Sequence, residues 1–254
     1  MNLAHGRLAA LGRAELTLLG RNKNNLFIAL LMPVMMVFIL RSSVSGIGLD
    51  DLPSGPAAAT LVGGTGMVLM LVVYMALVSA YTARREELVL KRLRTGEATD
   101  LEILTGSSLP PVVIALLQVL VLSVGGAVAL DTGAPERPLL LLAGVLTAVV
   151  LLVPAAALTT AITRNVESAG ITTLPFFLLS AVGSGMMLPT EVLPDPVADV
   201  CAFLPMSGAM ELIRSGWTGT GGAYELAGAA LNALAWIVIS VFACTRWFRW
   251  EPRR

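Results

Sequence analysis

The sequence predicts an all-α fold: a polytopic membrane protein with six transmembrane helices, an N-terminal amphipathic interfacial helix, a short charged cytoplasmic helix and an outer re-entrant helical hairpin. Three observations carry this. Hydrophobic residues make up 56% of the 254 residues and the mean hydropathy is +0.81, well above the apolar share of ordinary globular domains. Several apolar runs approach the ~20 residues needed to cross about 30 Å of hydrocarbon. The charged residues, only 13% of the chain, are gathered between those runs.

The chain reads as one transmembrane domain over 1–254, beginning with a segment at 1–24 that has a helical period. At 100° per residue Leu8, Leu11, Leu16, Leu18 and Leu19 share one broad face, and Arg7, Arg13, Thr17 and Arg21 share the other, the pattern of a helix lying in the membrane interface. No small-residue cleavage site follows a short apolar core, so a cleaved leader is not expected. Glu15 stands among the leucines. It is either solvated at the headgroup level or paired with a base from another cytoplasmic element.

Two spans follow, at 26–40 and 57–83, within a unit running from 25 to 83. The second is long enough to tilt or to project past the bilayer. Then comes 84–94, RREELVLKRLR, in a loop that extends to 106; seven of these eleven residues are charged. Tied to apolar spans at both ends, the segment should lie flat at the surface as a short helix stopped by Thr95-Gly96. It has the character of a docking surface for something soluble.

Spans three to five, at 109–130, 139–162 and 171–188, occupy the unit 107–188. The stretch 189–222 is too polar and Pro-broken to cross a membrane and too apolar for a solvated loop. Asp195-Pro196 is a helix start, and Pro205 separates a second helix over 206–217. Glu211 and Arg214 stand three residues apart on one helical face, placed to neutralise each other. The sixth span, 226–244, and a basic tail complete the unit 223–254.

Basic residues set the orientation. Four precede the first span, five follow the second, one follows the fourth and four follow the sixth, so 14 of the 17 Lys and Arg lie on one side. By the positive-inside rule both termini are cytoplasmic, in a multi-pass protein of the cell membrane. The net charge of zero points to no nucleic-acid partner. Cys201 and Cys244 fall on opposite faces, which excludes a disulfide within the chain, and no His/Cys cluster suggests a metal.

The order of elements resembles that of the permease subunits of type-2 ATP-binding-cassette exporters, across essentially the whole chain. In that family a segment reading roughly REEGTLxRLxxTP, followed by E-L-L/I-L-G, forms the coupling helix. Here it stands as Arg85 to Thr95, REELVLKRLRT, followed by Leu101-Glu102-Ile103-Leu104-Thr105-Gly106. The family's P-x-x-x-L-P hairpin matches Pro189, Leu193-Pro194, Pro205, Arg214 and Gly216, and the amphipathic start matches its connecting helix. Two residues depart from the pattern: Leu88 stands where glycine is usual and Glu97 where proline is expected.

The resemblance implies that Arg85, Glu86, Glu87, Lys91, Arg92 and Arg94 contact an ATPase, with Glu15 on the connecting helix beside them. It implies a separate ATPase subunit in two copies, which binds the ATP and Mg while this chain holds no cofactor, and a second permease chain, identical or different. Membrane lipid is the remaining partner. Consistent with this division, no GxxxxGK[ST] phosphate loop is present, and Gly63-Gly64-Thr65-Gly66 lies in an apolar span without the required lysine.

Two other classes fit less well. An ion-coupled secondary transporter keeps ionisable residues within its spans, and the six spans contain no Asp, Glu, Lys or His. An intramembrane serine protease could use Ser184, but the single histidine, His5, precedes the first span. Polar residues inside spans, Tyr74, Gln118, Thr159 and Thr160, mark a candidate substrate route. Family geometry narrows the pathway to Met35, Phe38, Tyr74, Phe176 and Phe177. A cavity without fixed charge suits a hydrophobic or amphipathic drug-like or antibiotic-like compound. Lipid-linked polysaccharide is the second choice, because only 6% of residues are aromatic.

Overall fold

In this computed structural model residues 31, 35, 55–95, 99–130, 132–187, 194–248 and 250 are described. They form α-helices and no strand: α1 Pro56–Val68, α2 Ala76–Glu86, α3 Val89–Arg94, α4 Asp100–Ala129, α5 Pro138–Ile162, α6 Val166–Gly183, α7 Asp195–Ala202, α8 Ser207–Thr218 and α9 Ala223–Trp247. A π-helical segment, Leu69–Met75, joins α1 to α2 without a break. The expected first span and connecting helix, with Glu15 and Phe38, fall outside the described residues, apart from helical positions at Leu31 and Met35.

Five helical units are long and apolar enough to cross a membrane: Ala57–Glu86, Asp100–Ala129, Pro138–Ile162, Val166–Gly183 and Ala223–Trp247. Their ends are set by local chemistry. α4 starts nine residues before the expected span because Thr99 and Glu102 close a capping box, each accepting from the other's backbone N–H. Pro110 and Pro111 lie inside the helix. α6 likewise starts early, capped by Asn165, whose side chain accepts from the Ser168 N–H. It ends at Gly183 rather than at 188.

The helix α1–π–α2 is central, with 72% of its apolar window buried against 28% for α4 and α6 and 22% for α9. The poorly buried helices turn apolar residues outward at helical spacing. Leu120, Val124 and Val128 do so on α4, Leu174, Leu178 and Val182 on α6, and Leu231, Leu234 and Val238 on α9. Such a stripe facing away from the core is what a lipid-facing helix presents.

α7 and α8 form a helical pair bent by 99°. The bend is made at Pro205 and at Met206, which takes a left-handed φ of 69°. α7 begins at Asp195-Pro196, the expected helix start, with Pro194 in the position just before it. α8 does not skim the surface. It is wedged against α5, α9 and α1 with Ala209, Met210, Leu212, Ile213 and Trp217 buried. Glycines make this possible: a Cβ on Gly208 would collide with the carbonyl of Ala229 on α9, and one on Gly216 would lie 2.5 Å from the backbone nitrogen of Leu141 on α5. Gly144 of α5 meets Ile213 in the same way. With little hydrophobic drive between helices in lipid, this close backbone approach holds the contact by dispersion.

Candidate functional site

The charged segment is an elbow, not one flat helix. α2 carries Arg84, Arg85 and Glu86 as its last turn, the chain reverses at Glu87 and Leu88, and α3 resumes at Val89. Leu88 makes the reversal with φ of 58°, the left-handed region that favours glycine. The departure noted in the sequence therefore sits where glycine would be free of Cβ strain.

The elbow sorts its charges by depth. Arg85 is fully buried, and its guanidinium donates to the carbonyls of Thr160 and Thr163 at 2.6 Å each and to that of Arg164 at 3.4 Å. These carbonyls lie at and just beyond the C-terminal end of α5, where a cation is favoured by the helix dipole. The next residue, Glu86, accepts from the N–H of Val166 at 3.2 Å, at the first residue of α6, where an anion is favoured. Adjacent residues of opposite sign thus grip opposite poles of two consecutive helices. The placement of Arg85 on an exposed docking face is corrected: its side chain faces inward because α5 ends beside it.

Glu87, Arg92 and Arg94 are exposed. Lys91 is helical on α3. Arg94 pairs with Asp100 at 3.0 Å and stacks over Trp250 at 4.9 Å from the ring centroid, tying α3 to the start of α4 and to the tail. Behind the elbow, Arg84 donates to Ser107 Oγ at 2.7 Å and Tyr81 donates its hydroxyl to the Leu104 carbonyl at 2.9 Å, so α2 and α4 are bound together over one turn.

Within the membrane-length part, the π segment carries Tyr74, a buried tyrosine whose hydroxyl is 2.9 Å from Thr159 Oγ1 on α5. Its ring lies 4.8 Å from that of Phe176 on α6, tilted by 38°. Three expected pathway elements therefore meet at one point. π-helical turns recur at functional sites because they open a helix locally and re-aim side chains. Phe177 packs on the core without joining the ring pair. Met35 is helical and 48% exposed. Glu211 and Arg214 are joined at 2.6 Å on α8.

Sequence reasoning passed over Thr163 and Val166, which contribute only backbone atoms to the elbow and so leave no side-chain signal. It also passed over Thr99-x-x-Glu102, a capping-box pattern that is readable in the sequence.

The model of the ABC-2 type transporter family matches residues 7–217, which spans the elbow, the π segment and the hairpin. The chain belongs to that family. No curated protein matches it. As an ABC-2 type permease it is a multi-pass membrane protein, a transporter component without a nucleotide site of its own. Permeases of this family generally work with a separate ATPase subunit.

Proposed function

We propose that this permease moves a hydrophobic or amphipathic compound, drug-like or antibiotic-like, out of the cell, driven by ATP hydrolysis on a separate ATPase. The working assembly is two permease chains with two ATPase subunits, the ATPases holding ATP and Mg. The observation that carries this reading is the elbow. Exposed charges on Glu87, Arg92 and Arg94 lie next to the buried Arg85 and bonded Glu86, which are attached to α5 and α6.

A force on α3 is passed through Leu88 to α2, and from α2 through the charge-assisted bonds of Arg85 and Glu86 to the α5–α6 junction. Charge-assisted bonds are the stronger and shorter class, so they resist slipping under load. α2 continues into the π segment and Tyr74, which touches α5 and α6 again through Thr159 and Phe176. Motion at the ATPase side thereby reaches the aromatic cluster by two parallel routes, and the spans change from inward-open to outward-open as a packed unit.

The test is reconstitution with the ATPase in inside-out vesicles. ATP-dependent uptake of a lipophilic dye is expected, and Glu87→Lys with Arg92→Glu is expected to abolish uptake while leaving membrane insertion intact. ATP hydrolysis by the purified chain alone, or unchanged uptake in the double variant, overturns the proposal.

A further inference from the structure

At the end of the bundle opposite the elbow, where α6 stops, a cavity of about 460 Å³ opens between α6, the α7–α8 pair and the start of α9. Its polar wall holds Ser184, Asp199, Ser207, Glu211, Arg214 and Glu225, with the Ser207 hydroxyl donating to the carbonyls of Cys201 and Gly183, and its apolar wall includes Ala198, Ala202 and Ala229. Among the described residues three carboxylates and one guanidinium line it. Arg214 is committed to Glu211 at 2.6 Å, and Glu211 also accepts from Ser215 Oγ at 3.2 Å. Glu225 accepts from the Gly222 N–H at 2.9 Å through one oxygen. Among the described residues neither Asp199 nor Glu225 takes part in an ion pair.

A second observation is independent of the charges. Ser184 is 3% exposed, and its hydroxyl has no hydrogen-bond partner although it lines this cavity. A buried hydroxyl left unpaired is costly unless something occupies the site. Among the described residues the polar groups not yet committed are thus two carboxylates outside any ion pair and the Ser184 hydroxyl, all able to accept. The complementary ligand group is a cation rich in N–H donors, and an ammonium carries three donors and no acceptor.

We infer that this cavity binds the ammonium head of an amphipathic amine, with its alkyl stem along the alanine wall. The inference rests on the exporter reading above and deepens it: the transported class is cationic amphiphiles, and the cavity is the site they occupy at the far end of the pathway. Among the described residues no three His, Cys, Asp or Glu are grouped as metal ligands.

The probe is octylammonium, with octanol as the uncharged isostere, titrated calorimetrically into the purified chain in neutral maltoside micelles without its ATPase. Saturable binding of octylammonium is expected, with none for octanol. Asp199→Asn and Ser184→Ala should each weaken it about tenfold, equivalent to roughly 1.4 kcal/mol, and Asp199→Glu should restore it. Asp199 is exposed on α7, so its substitution leaves the packed hairpin intact. Equal affinity for octanol, an affinity indifferent to Asp199→Asn, or displacement by magnesium at constant ionic strength overturns the inference. Because no ATPase is present, these outcomes are separate from vesicle uptake, which alone decides the exporter reading.

Discussion

Leu88 and Arg85 place opposite demands on the same turn. Leu88 holds φ of 58° with a side chain that is 39% exposed, so its left-handed strain of roughly 1–2 kcal/mol is offset by little burial. Leu88→Gly is expected to leave stability unchanged or raise it by up to about 1 kcal/mol, whereas Leu88→Val, β-branched at a positive φ, should lower it by roughly 1–2 kcal/mol. Thermal unfolding of the purified variants in detergent checks this, and a Val variant as stable as the Gly variant refutes the elbow geometry. Arg85 acts through its fork. Lysine has no planar pair of donors, so Arg85→Lys should lose at least one charge-assisted bond, about 2–3 kcal/mol, despite keeping the charge. If stability follows charge alone, Arg85→Lys will match wild type and the buried bonding to Thr160 and Thr163 is not what holds α2.

Among the elements, α8 is the one whose sequence least announces its role. Its polar Ser207, Glu211, Arg214 and Ser215 suit a surface hairpin, yet the helix is packed between α5 and α9 by contacts at Gly208 and Gly216. A methyl group at Gly216 would need the α5 backbone to move, because the nearest atoms are the nitrogen and Cα of Leu141. Gly216→Ala is therefore expected to cost about 1–3 kcal/mol through overpacking. Gly170→Ala on α6 meets nothing within 4 Å and should stabilise by roughly 0.5–1 kcal/mol through helix propensity. Monodispersity after mild heating separates the two, and equal behaviour would mean that α8 is not held by backbone approach. The π segment belongs to this scale too. Nothing in LMLVVYM marks a π turn over an α turn, and in the structure this segment carries Tyr74 onto Thr159 and Phe176.

For the whole molecule the basic residues around the elbow set the expected sidedness, with the elbow on the cytoplasmic side. Cys201 and Cys244 are both buried, so the native thiols are slow reporters from either side. Tyr224→Cys at the start of α9, where the native side chain is 92% exposed, and Thr95→Cys beyond α3 report the two ends. In a background with both native cysteines replaced by serine, a membrane-impermeant maleimide on intact cells should label position 224 and should reach position 95 only after permeabilisation. Labelling at 95 first would invert the topology and detach the elbow from a cytoplasmic ATPase.

The sequence by itself determined what local chemistry and solvent determine. Hydropathy marked the long helices because backbone groups in lipid must be satisfied within the segment, so length and apolarity nearly suffice. Glu211 and Arg214 were legible as a pair because any helix brings i and i+3 together. Tertiary structure decided what depends on residues far apart in the chain. Arg85 and Glu87 are near neighbours in a run of seven charges, and nothing local says that one is buried and the other exposed. The burial of Arg85 follows from the end of α5, 75 residues away, whose carbonyls favour a cation, just as the start of α6, 80 residues from Glu86, offers an N–H to that carboxylate.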